Sequence, residues 1–179
     1  MIQFIQGQRI YLRALEAQDA EGNYPVWLND EEACAGNSHH VFPYVREKAQ
    51  AYIEKANRAS DSLILAMVLQ ESNQHIGNIA LQEINWIYKT AELAVLLGEK
   101  EHWGKGYSLE AAKLLMTHGF NALNLNRIYC GTFETNVGMQ KLAKSLGMKQ
   151  EGVRRKAVYK NGNYLDLIEF GLLREEFTL

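Results

Sequence analysis

The sequence predicts an α+β fold in which a mixed, mostly antiparallel central sheet carries helices on both faces. Strand-like and helical segments alternate along one chain, with no internal repeat and no low-complexity linker. Three strand-like runs follow one another between residues 63 and 97, before the longest amphipathic segment begins. A doubly wound parallel sheet needs a helix between successive strands, so this order of elements argues against it.

Composition and charge narrow the class of protein. The chain has 179 residues, 47% of them hydrophobic, which suits one domain spanning residues 1–179. A formal net charge of −2 gives no indication of a nucleic-acid partner. No apolar run approaches the ~20 residues that cross a bilayer, and the first residues do not resemble a signal peptide. Cys34 and Cys130 are unpaired by spacing and the histidines lack metal-ligand spacing, so we expect a cytoplasmic protein without a metal.

The first part of the chain predicts one strand and two helices. Polar and apolar residues alternate over residues 8–15, which predicts the first strand. Asp19 is predicted to cap a helix that runs to Leu28, and residues 31–45 are predicted to be irregular. Residues 46–59 are predicted to be helical, because their apolar side chains fall on one helical face.

The remaining chain predicts further strands separated by two helices. Helical periodicity predicts the helices, at residues 108–123 and 137–146. Apolar or alternating runs predict strands at 63–69, 76–84, 91–97 and 127–133, and a closing hairpin that includes Val158 and residues 165–173.

A glycine-rich loop separates the strand at 91–97 from the helix at 108–123. Gly104 and Gly106 flank Lys105, so the backbone can bend tightly and approach a ligand without interference from a Cβ. The following helix offers unpaired N–H groups and the positive end of its dipole. Such a loop is typical of a pyrophosphate or similar anion site, but also of a plain glycine-rich turn.

Two familiar phosphate loops do not match. A P-loop requires Ser or Thr directly after its Lys, whereas Gly106 follows Lys105 here. A dinucleotide-binding loop follows the first strand of a parallel unit, whereas this loop follows about four strands.

The loop and several later motifs resemble the GNAT superfamily of acyl-CoA N-acetyltransferases. In the family's pyrophosphate motif, Gly106 takes the central glycine, Trp103 replaces the usual Arg or Gln, and Ser108 is the last small residue. The Trp-Gly-Lys-Gly-Tyr sequence followed by Glu-Ala is similar to the branch that acetylates the amino termini of ribosomal proteins. The resemblance extends from residue 10 to residue 173 and includes further motifs at 126–129, 134–136, 142–148, 151–154 and 164–166.

This resemblance implies acetyl-CoA as cofactor and assigns residues to it. It implies a splayed pair of strands, with the backbone of Leu96 and Leu97 pairing with the pantetheine arm and one N–H serving as oxyanion donor. Asn136 is expected to contact the cofactor arm, and it also suits the N-cap of the helix at 137–146. The pyrophosphate is expected to lie on the loop residues Trp103, Gly104, Lys105, Gly106, Tyr107 and Ser108.

Two carboxylates are candidates for the base that deprotonates an amine. Glu92 lies in an otherwise apolar strand at a position where the family often keeps a carboxylate; an exposed surface Glu is the alternative. Glu134 ends the following strand, where a solvated acid is the alternative. The positions that usually protonate the leaving thiolate are occupied by Ala143 and Met139, so Tyr107, Tyr129 and Tyr159 are the hydroxyls that could substitute.

The acceptor is expected to lie between the early helices and the last hairpin, at residues 27–44 and 156–164. His39, His40 and Tyr44 are candidate pocket residues, although a pair of loop histidines also suits a plain surface. A sugar amine, a peptide terminus and a polyamine all remain open, the last through the acidic residues at 30–32 and a likeness of residues 84–92 to spermidine acetyltransferases. A non-catalytic acyl-CoA-binding module is the alternative function. Dimers are common in this branch, but no sequence feature demands one.

Overall fold

An eight-stranded sheet forms the centre of the protein, which the computed structural model describes from residue 2 to residue 178. The strands are β1 (Ile5–Gln6), β2 (Ile10–Ala14), β3 (Leu63–Leu69), β4 (His75–Asn85), β5 (Thr90–Leu97), β6 (Arg127–Phe133), β7 (Lys149–Lys160) and β8 (Asn163–Leu173). Their order across the sheet is β1-β2-β3-β4-β5-β6-β8-β7. Only β5 and β6 run parallel, which confirms the mixed, mostly antiparallel sheet.

Helices cover both faces of this sheet, as predicted. The helices are α1 (Tyr24–Leu28), α2 (Arg46–Arg58), α3 (Tyr107–Asn121) and α4 (Val137–Ser145). One apolar cluster joins α1 and α2 to β2 and β3, and a second joins α3 and α4 to the opposite face of the sheet. None of the described helices is long and apolar enough to cross a membrane.

The alternation of side chains along β5 connects these two clusters. Leu93 is buried with α3, and Val95 and Leu97 pack against the same cluster. Leu96 packs instead against the cluster that contains α1 and α2. Successive side chains of a strand point to opposite faces, so Glu92 lies on the same face as Leu96.

The predicted helix from Asp19 to Leu28 is wrong. Asp19 lies in a short 3₁₀ turn, Ala17–Ala20, and α1 begins only at Tyr24. The Asp19 carboxylate does not cap α1, because it turns inward and accepts two hydrogen bonds of 2.7 Å from the Arg13 guanidinium. Asp19 instead accepts the Glu16 N–H over 2.8 Å within its own turn, and the distant His75 also contacts it, with Nδ1 3.2 Å from Asp19 Oδ1.

The other predicted elements are confirmed, with small shifts at their ends. The largest shift is in the closing hairpin, where β7 begins at Lys149 rather than near Val158. Residues 29–45 lack a helix or strand, and we call them the α1–α2 loop.

Candidate active site

The parallel strands β5 and β6 separate after a short paired stretch. Their register contains Thr90 with Arg127, Ala91 with Ile128 and Glu92 with Tyr129, and pairing stops there. Beyond this point β5 stays paired with β4 and β6 stays paired with β8. One edge of β5 is therefore free of a strand partner, which confirms the predicted splay.

Backbone hydrogen bonds show which residues of β5 face this gap. The Gly98 N–H donates to the Ile76 carbonyl on the β4 side, whereas the Lys89 carbonyl accepts from Arg127 on the β6 side. Since backbone groups alternate along a strand, Val95 and Leu97 direct their N–H and C=O groups into the gap. The backbone of Leu96 points to β4, opposite Asn78. The backbone orientation expected of Leu96 is therefore found at Val95, and the pairing of this edge with a cofactor arm stays a prediction.

Trp103 contacts the end of β5, beside the gap between β5 and β6. Its indole Nε1 donates to the Leu97 carbonyl over 2.8 Å. Because an indole has only this one donor, the Trp103 side chain has none left for a phosphate. Leu97 in turn keeps only its N–H free on this edge.

The loop after Trp103 leaves its backbone open to a ligand. Gly104 and Gly106 have φ values of 73° and 83°, in the left-handed region that favours glycine. Gly106 is the N-cap of α3, and a Cβ at Gly104 would meet no atom within 4 Å. Lys105 is exposed beside the first turn of α3. The loop therefore combines free N–H groups, a helix dipole and one cation, which suits an anion.

The Arg9 side chain, just before β2, is hydrogen-bonded to this loop, a contact that the sequence did not reveal. Its Nη1 donates to the Lys105 carbonyl over 2.8 Å, and its Nε donates to Glu110 Oε2 over 2.9 Å. Its guanidinium lies 4.7 Å from the centre of the Tyr107 ring. No local pattern could have indicated this contact, because Arg9 and Glu110 are 101 residues apart in the chain.

Glu110 joins the first turn of α3 to the residues before β2. Its Oε1 accepts the N–H groups of Gln8 and Arg9, both over 2.8 Å. Partial burial opposes ionisation, but the hydrogen bonds from Arg9 and Gln8 outweigh it and hold the pKa of Glu110 below its usual value. A charged carboxylate thus fixes the first turn of α3 to the start of β2.

Helix α1 contacts the two residues that follow β5, Gly98 and Glu99. The Trp27 ring lies so close to Gly98 that a Cβ there would come within 1.9 Å of Trp27 Cδ2. The Trp27 indole also donates to Glu99 Oε1 over 3.0 Å. The side of the cleft formed by α1 is therefore held directly against the end of β5.

Glu92 lies at the point where β5 and β6 separate, on the face of α1 and α2. It is partly buried, and its Oε2 accepts a hydrogen bond of 2.7 Å from the Gln82 amide. Its register partner is Tyr129, whose hydroxyl donates to Glu83 Oε2 over 3.2 Å. The expectation of an isolated carboxylate is therefore wrong, since Glu92 is hydrogen-bonded to Gln82 and lies opposite Tyr129.

Tyr129 remains a hydroxyl rather than a phenolate in this setting. Burial, followed by the charges of Glu83 and Glu92, raises its pKa to about 12. At neutral pH it is therefore a hydrogen-bond donor next to the splay.

Glu134 contacts the backbone of β8 at the end of β6. It is exposed, and its Oε1 accepts the Asp166 N–H over 2.9 Å. Its own N–H donates to the Asp166 carbonyl over 3.0 Å. These contacts connect the end of β6 to β8.

Asn136 caps α4, as one of its two predicted roles requires. Its Oδ1 accepts the Met139 N–H over 3.0 Å. Its Nδ2 donates to the Gly36 carbonyl over 3.1 Å, which fixes the α1–α2 loop to the start of α4. Its contact with the cofactor arm stays a prediction.

The usual positions of the leaving-group acid offer no hydroxyl. Ala143 is fully buried in the core, and Met139 packs against the same cluster. Tyr107 packs edge-on against His102, with ring centres 5.5 Å apart, and the exposed Tyr159 packs against Tyr164. Tyr129 is the one substitute that lies at the splay.

The candidate acceptor residues are divided between two environments. His39 and His40 are exposed on the α1–α2 loop. Tyr44 is partly buried in the apolar cluster of α1 and α2, where its ring centre lies 6.0 Å from that of Tyr24. Their role in binding an acceptor stays a prediction. Within residues 2–178, no group of three or more His, Cys, Asp or Glu is placed to hold a metal ion.

Comparison with known proteins identifies the family. Residues 9–149 match the acetyltransferase (GNAT) domain. The uncharacterized N-acetyltransferase p20 of Bacillus licheniformis is 30% identical over 175 residues, which cover 96% of each chain. The spermidine N(1)-acetyltransferase of Escherichia coli strain K12 is 26% identical over 94% of this chain and 88% of that one. A crystal structure of spermidine N-acetyltransferase from Vibrio cholerae, in complex with CoA and spermine, has a TM-score of 0.85 at 22% identity and covers 94% of this chain and 97% of that chain. The matched domain shows that the chain belongs to the GNAT family of acetyltransferases, enzymes that use acetyl-CoA, and the splayed strands and the glycine loop agree with it.

Proposed function

We propose that the protein transfers an acetyl group from acetyl-CoA to the primary amine of an acceptor that binds on the α1 and α2 side of the splay. The observation that carries this proposal is the free edge of β5 beside the glycine loop. An extended arm with amide groups can pair with the exposed backbone of Val95 and the N–H of Leu97. A pyrophosphate suits the N–H groups around Gly106 and the first turn of α3.

We assign separate catalytic roles to two residues at the splay, Val95 and Glu92. When bound, acetyl-CoA supplies the acetyl thioester. The Val95 N–H is our candidate oxyanion donor, because it points into the gap and such donors contribute about 3–4 kcal/mol. Glu92 accepts the proton of the acceptor amine, directly or through water, because it lies at the last paired position before the strands separate, on the acceptor side.

The departing thiolate needs little help from an acid. A thiol has a pKa of about 8.5, so its thiolate is a tolerable leaving group near neutral pH. We assign the remaining proton donation to Tyr129, which stays protonated and lies opposite Glu92 in the register. The Tyr129 hydroxyl would thus serve in place of a hydroxyl at position 143 or 139, where the chain has Ala143 and Met139.

The acceptor class within this proposal is a primary amine on a protein amino terminus, an amino sugar, a polyamine or another small amine. The Trp-Gly-Lys-Gly-Tyr sequence of the loop favours the amino-terminal branch. The likeness to spermidine acetyltransferases favours a polyamine. The compartment that we propose is the cytoplasm, because both cysteines are free and buried, which fits a reducing environment.

A non-catalytic acyl-CoA-binding module is the second candidate function. The observation that favours it is the absence of a hydroxyl at Ala143 and Met139, both of which pack in the core. It would keep the cofactor loop and the β5 edge but catalyse no transfer.

Release of free thiol from acetyl-CoA separates these two functions. We expect thiol release that depends on an amine, tested with amino sugars, polyamines and amino-terminal peptides. Calorimetry with acetyl-CoA provides the binding constant in parallel. Tight binding of acetyl-CoA with no turnover on any amine would establish the module instead.

Replacing Glu92 by Gln tests the base. We expect kcat to fall by about 10²- to 10⁴-fold, because general-base catalysis contributes about that factor. The loss should be largest at low pH, where most of the amine is protonated, and the KM for acetyl-CoA should change little. Glu134→Gln is the matched control, since that carboxylate contacts the Asp166 backbone, and it should retain most of the activity. A pH profile of Glu92→Gln that matches the parent enzyme would remove Glu92 as the base.

A further inference from the structure

Lys160 is a buried cation that the proposed chemistry does not use. It ends β7, and its residue surface is only 9% exposed. Of the lysines and arginines in residues 2–178, only Arg13 and Lys160 are buried. Arg13 has the Asp19 carboxylate as its counterion. Lys160 has no ion pair with any carboxylate of the described chain.

The ammonium of Lys160 retains unused donor capacity. It donates to the His39 carbonyl over 2.7 Å. An ammonium has three N–H donors, so two of them find no acceptor among the described residues. Its charge also acts on Cys34, where burial raises the pKa of the thiol and the Lys160 ammonium opposes that rise. A buried cation without a counterion is unfavourable, which makes this position suited to an anionic ligand.

The α1–α2 loop connects this ammonium to the proposed cleft. Gly36 accepts the hydrogen bond from Asn136 at the start of α4, and His39 accepts the one from Lys160. Three residues of extended chain span at most about 10 Å. The Lys160 ammonium and the cap of α4 therefore contact the same short segment, which belongs to the loop between the two helices on the proposed acceptor side of the sheet.

We propose that Lys160 selects an acceptor amine that also carries an anionic group, a carboxylate or a phosphate, and that it disfavours polycations. This inference rests on the proposed acetyltransferase function and narrows its acceptor class. An anion placed against the ammonium would use the free N–H groups and supply the missing counterion. A polyamine such as spermidine would place like charge beside the same ammonium.

Matched acceptor pairs provide the test. Phenylalanine and phenylalaninamide differ in a carboxylate, and glucosamine 6-phosphate and glucosamine differ in a phosphate. We expect the anionic member of at least one pair to have a kcat/KM about 10- to 100-fold higher, the effect of one hydrogen bond to a charged group. The pair that shows the difference identifies the carboxylate or the phosphate as the anion. Spermidine should be a poorer acceptor than that anionic amine.

The variant Lys160→Met should remove this preference by raising the acceptor KM, while the KM for acetyl-CoA stays unchanged. Lys156→Met is the matched control, because Lys156 lies on the same strand but is exposed and donates to the Tyr164 carbonyl. It should leave the preference intact. Lys160→Glu should turn the preference towards spermidine.

The proposal can fail separately from the acetyltransferase function. The role of Lys160 would be overturned if the amines without an anionic group, or spermidine, were turned over as fast as the anionic ones. The enzyme function would then still stand. If no acceptor is turned over, calorimetry of the same pairs with CoA-saturated protein decides the question. Tighter binding of the anionic member, lost in Lys160→Met, supports the proposal, and equal or absent binding of both members overturns it.

Discussion

Replacing Asp19 by Asn is expected to lower the free energy of unfolding by about 3–5 kcal/mol, the usual effect of removing one partner from a buried ion pair. Arg13 and Asp19 have side chains that are only 3% and 4% exposed, and two hydrogen bonds of 2.7 Å join them. The variant leaves the Arg13 guanidinium buried without its counterion. Urea denaturation followed by circular dichroism measures the change. A loss below about 1 kcal/mol would contradict the argument.

The exposed pair of Arg46 and Glu21 provides the control. Their side chains are 54% and 55% exposed, so Glu21→Gln should cost less than about 1 kcal/mol. The two variants thus compare the same kind of charge removal in a buried and in a solvated setting.

The effect of Asp19 on stability should also depend on pH. Burial opposes the Asp19 charge, but hydrogen bonds from Arg13 and His75 outweigh it and hold the pKa well below its usual value. A carboxylate with a lowered folded-state pKa stabilises the fold above its unfolded pKa, about 3.9, and loses this contribution as the pH falls. The stability difference between parent and Asp19→Asn should therefore narrow below about pH 4.

The substitution Gly106→Val is expected to raise the Kd for acetyl-CoA by at least about 100-fold. Gly106 has a φ of 83°, where a β-branched residue is strained by about 1–3 kcal/mol. A valine side chain would also stand beside the N–H groups proposed for the pyrophosphate, whose charged hydrogen bonds contribute about 1.5–3 kcal/mol each. Calorimetry measures the affinity, and near-normal binding would refute the assignment of the loop.

Gly22→Val is the matched control for this loop variant. Gly22 lies outside the left-handed region, and a Cβ there would meet its nearest neighbours at an ordinary 3.8 Å. The same change of residue should therefore leave acetyl-CoA affinity unchanged. Thermal denaturation of both variants separates a local effect at the loop from a loss of folding.

Local patterns predicted most of the elements of the fold but failed where a distant residue intervened. The segment of β3 follows from its continuous apolar run and that of α2 from its apolar periodicity, and the structure confirms both. The helix expected from Asp19 to Leu28 is wrong because Asp19 is buried against Arg13 and against His75, which is distant in the chain. The cap at Asn136 needs only the next three residues, so the sequence was sufficient to predict it.

The candidate site shows the same division. The glycine loop was predictable because its glycines and the following helix are adjacent in the chain. The contact of Arg9 with the loop and the burial of Lys160 without a carboxylate partner were not predictable. Their contacts join residues that are 96 and 121 positions apart in the chain. The assignment of the free backbone to Val95 rather than Leu96 required the strand register, since one residue of phase reverses the direction of every backbone group.

The sequence by itself determined the α+β class, the glycine loop at residues 103–108 and the resemblance to the GNAT acetyltransferases. These features depend on periodicity and on residues that are neighbours in the chain. Only the tertiary structure decided where β5 and β6 separate, which backbone groups face the gap and which buried charges have a counterion. Such features arise from contacts between residues far apart in the chain, whose desolvation and pairing no local pattern encodes.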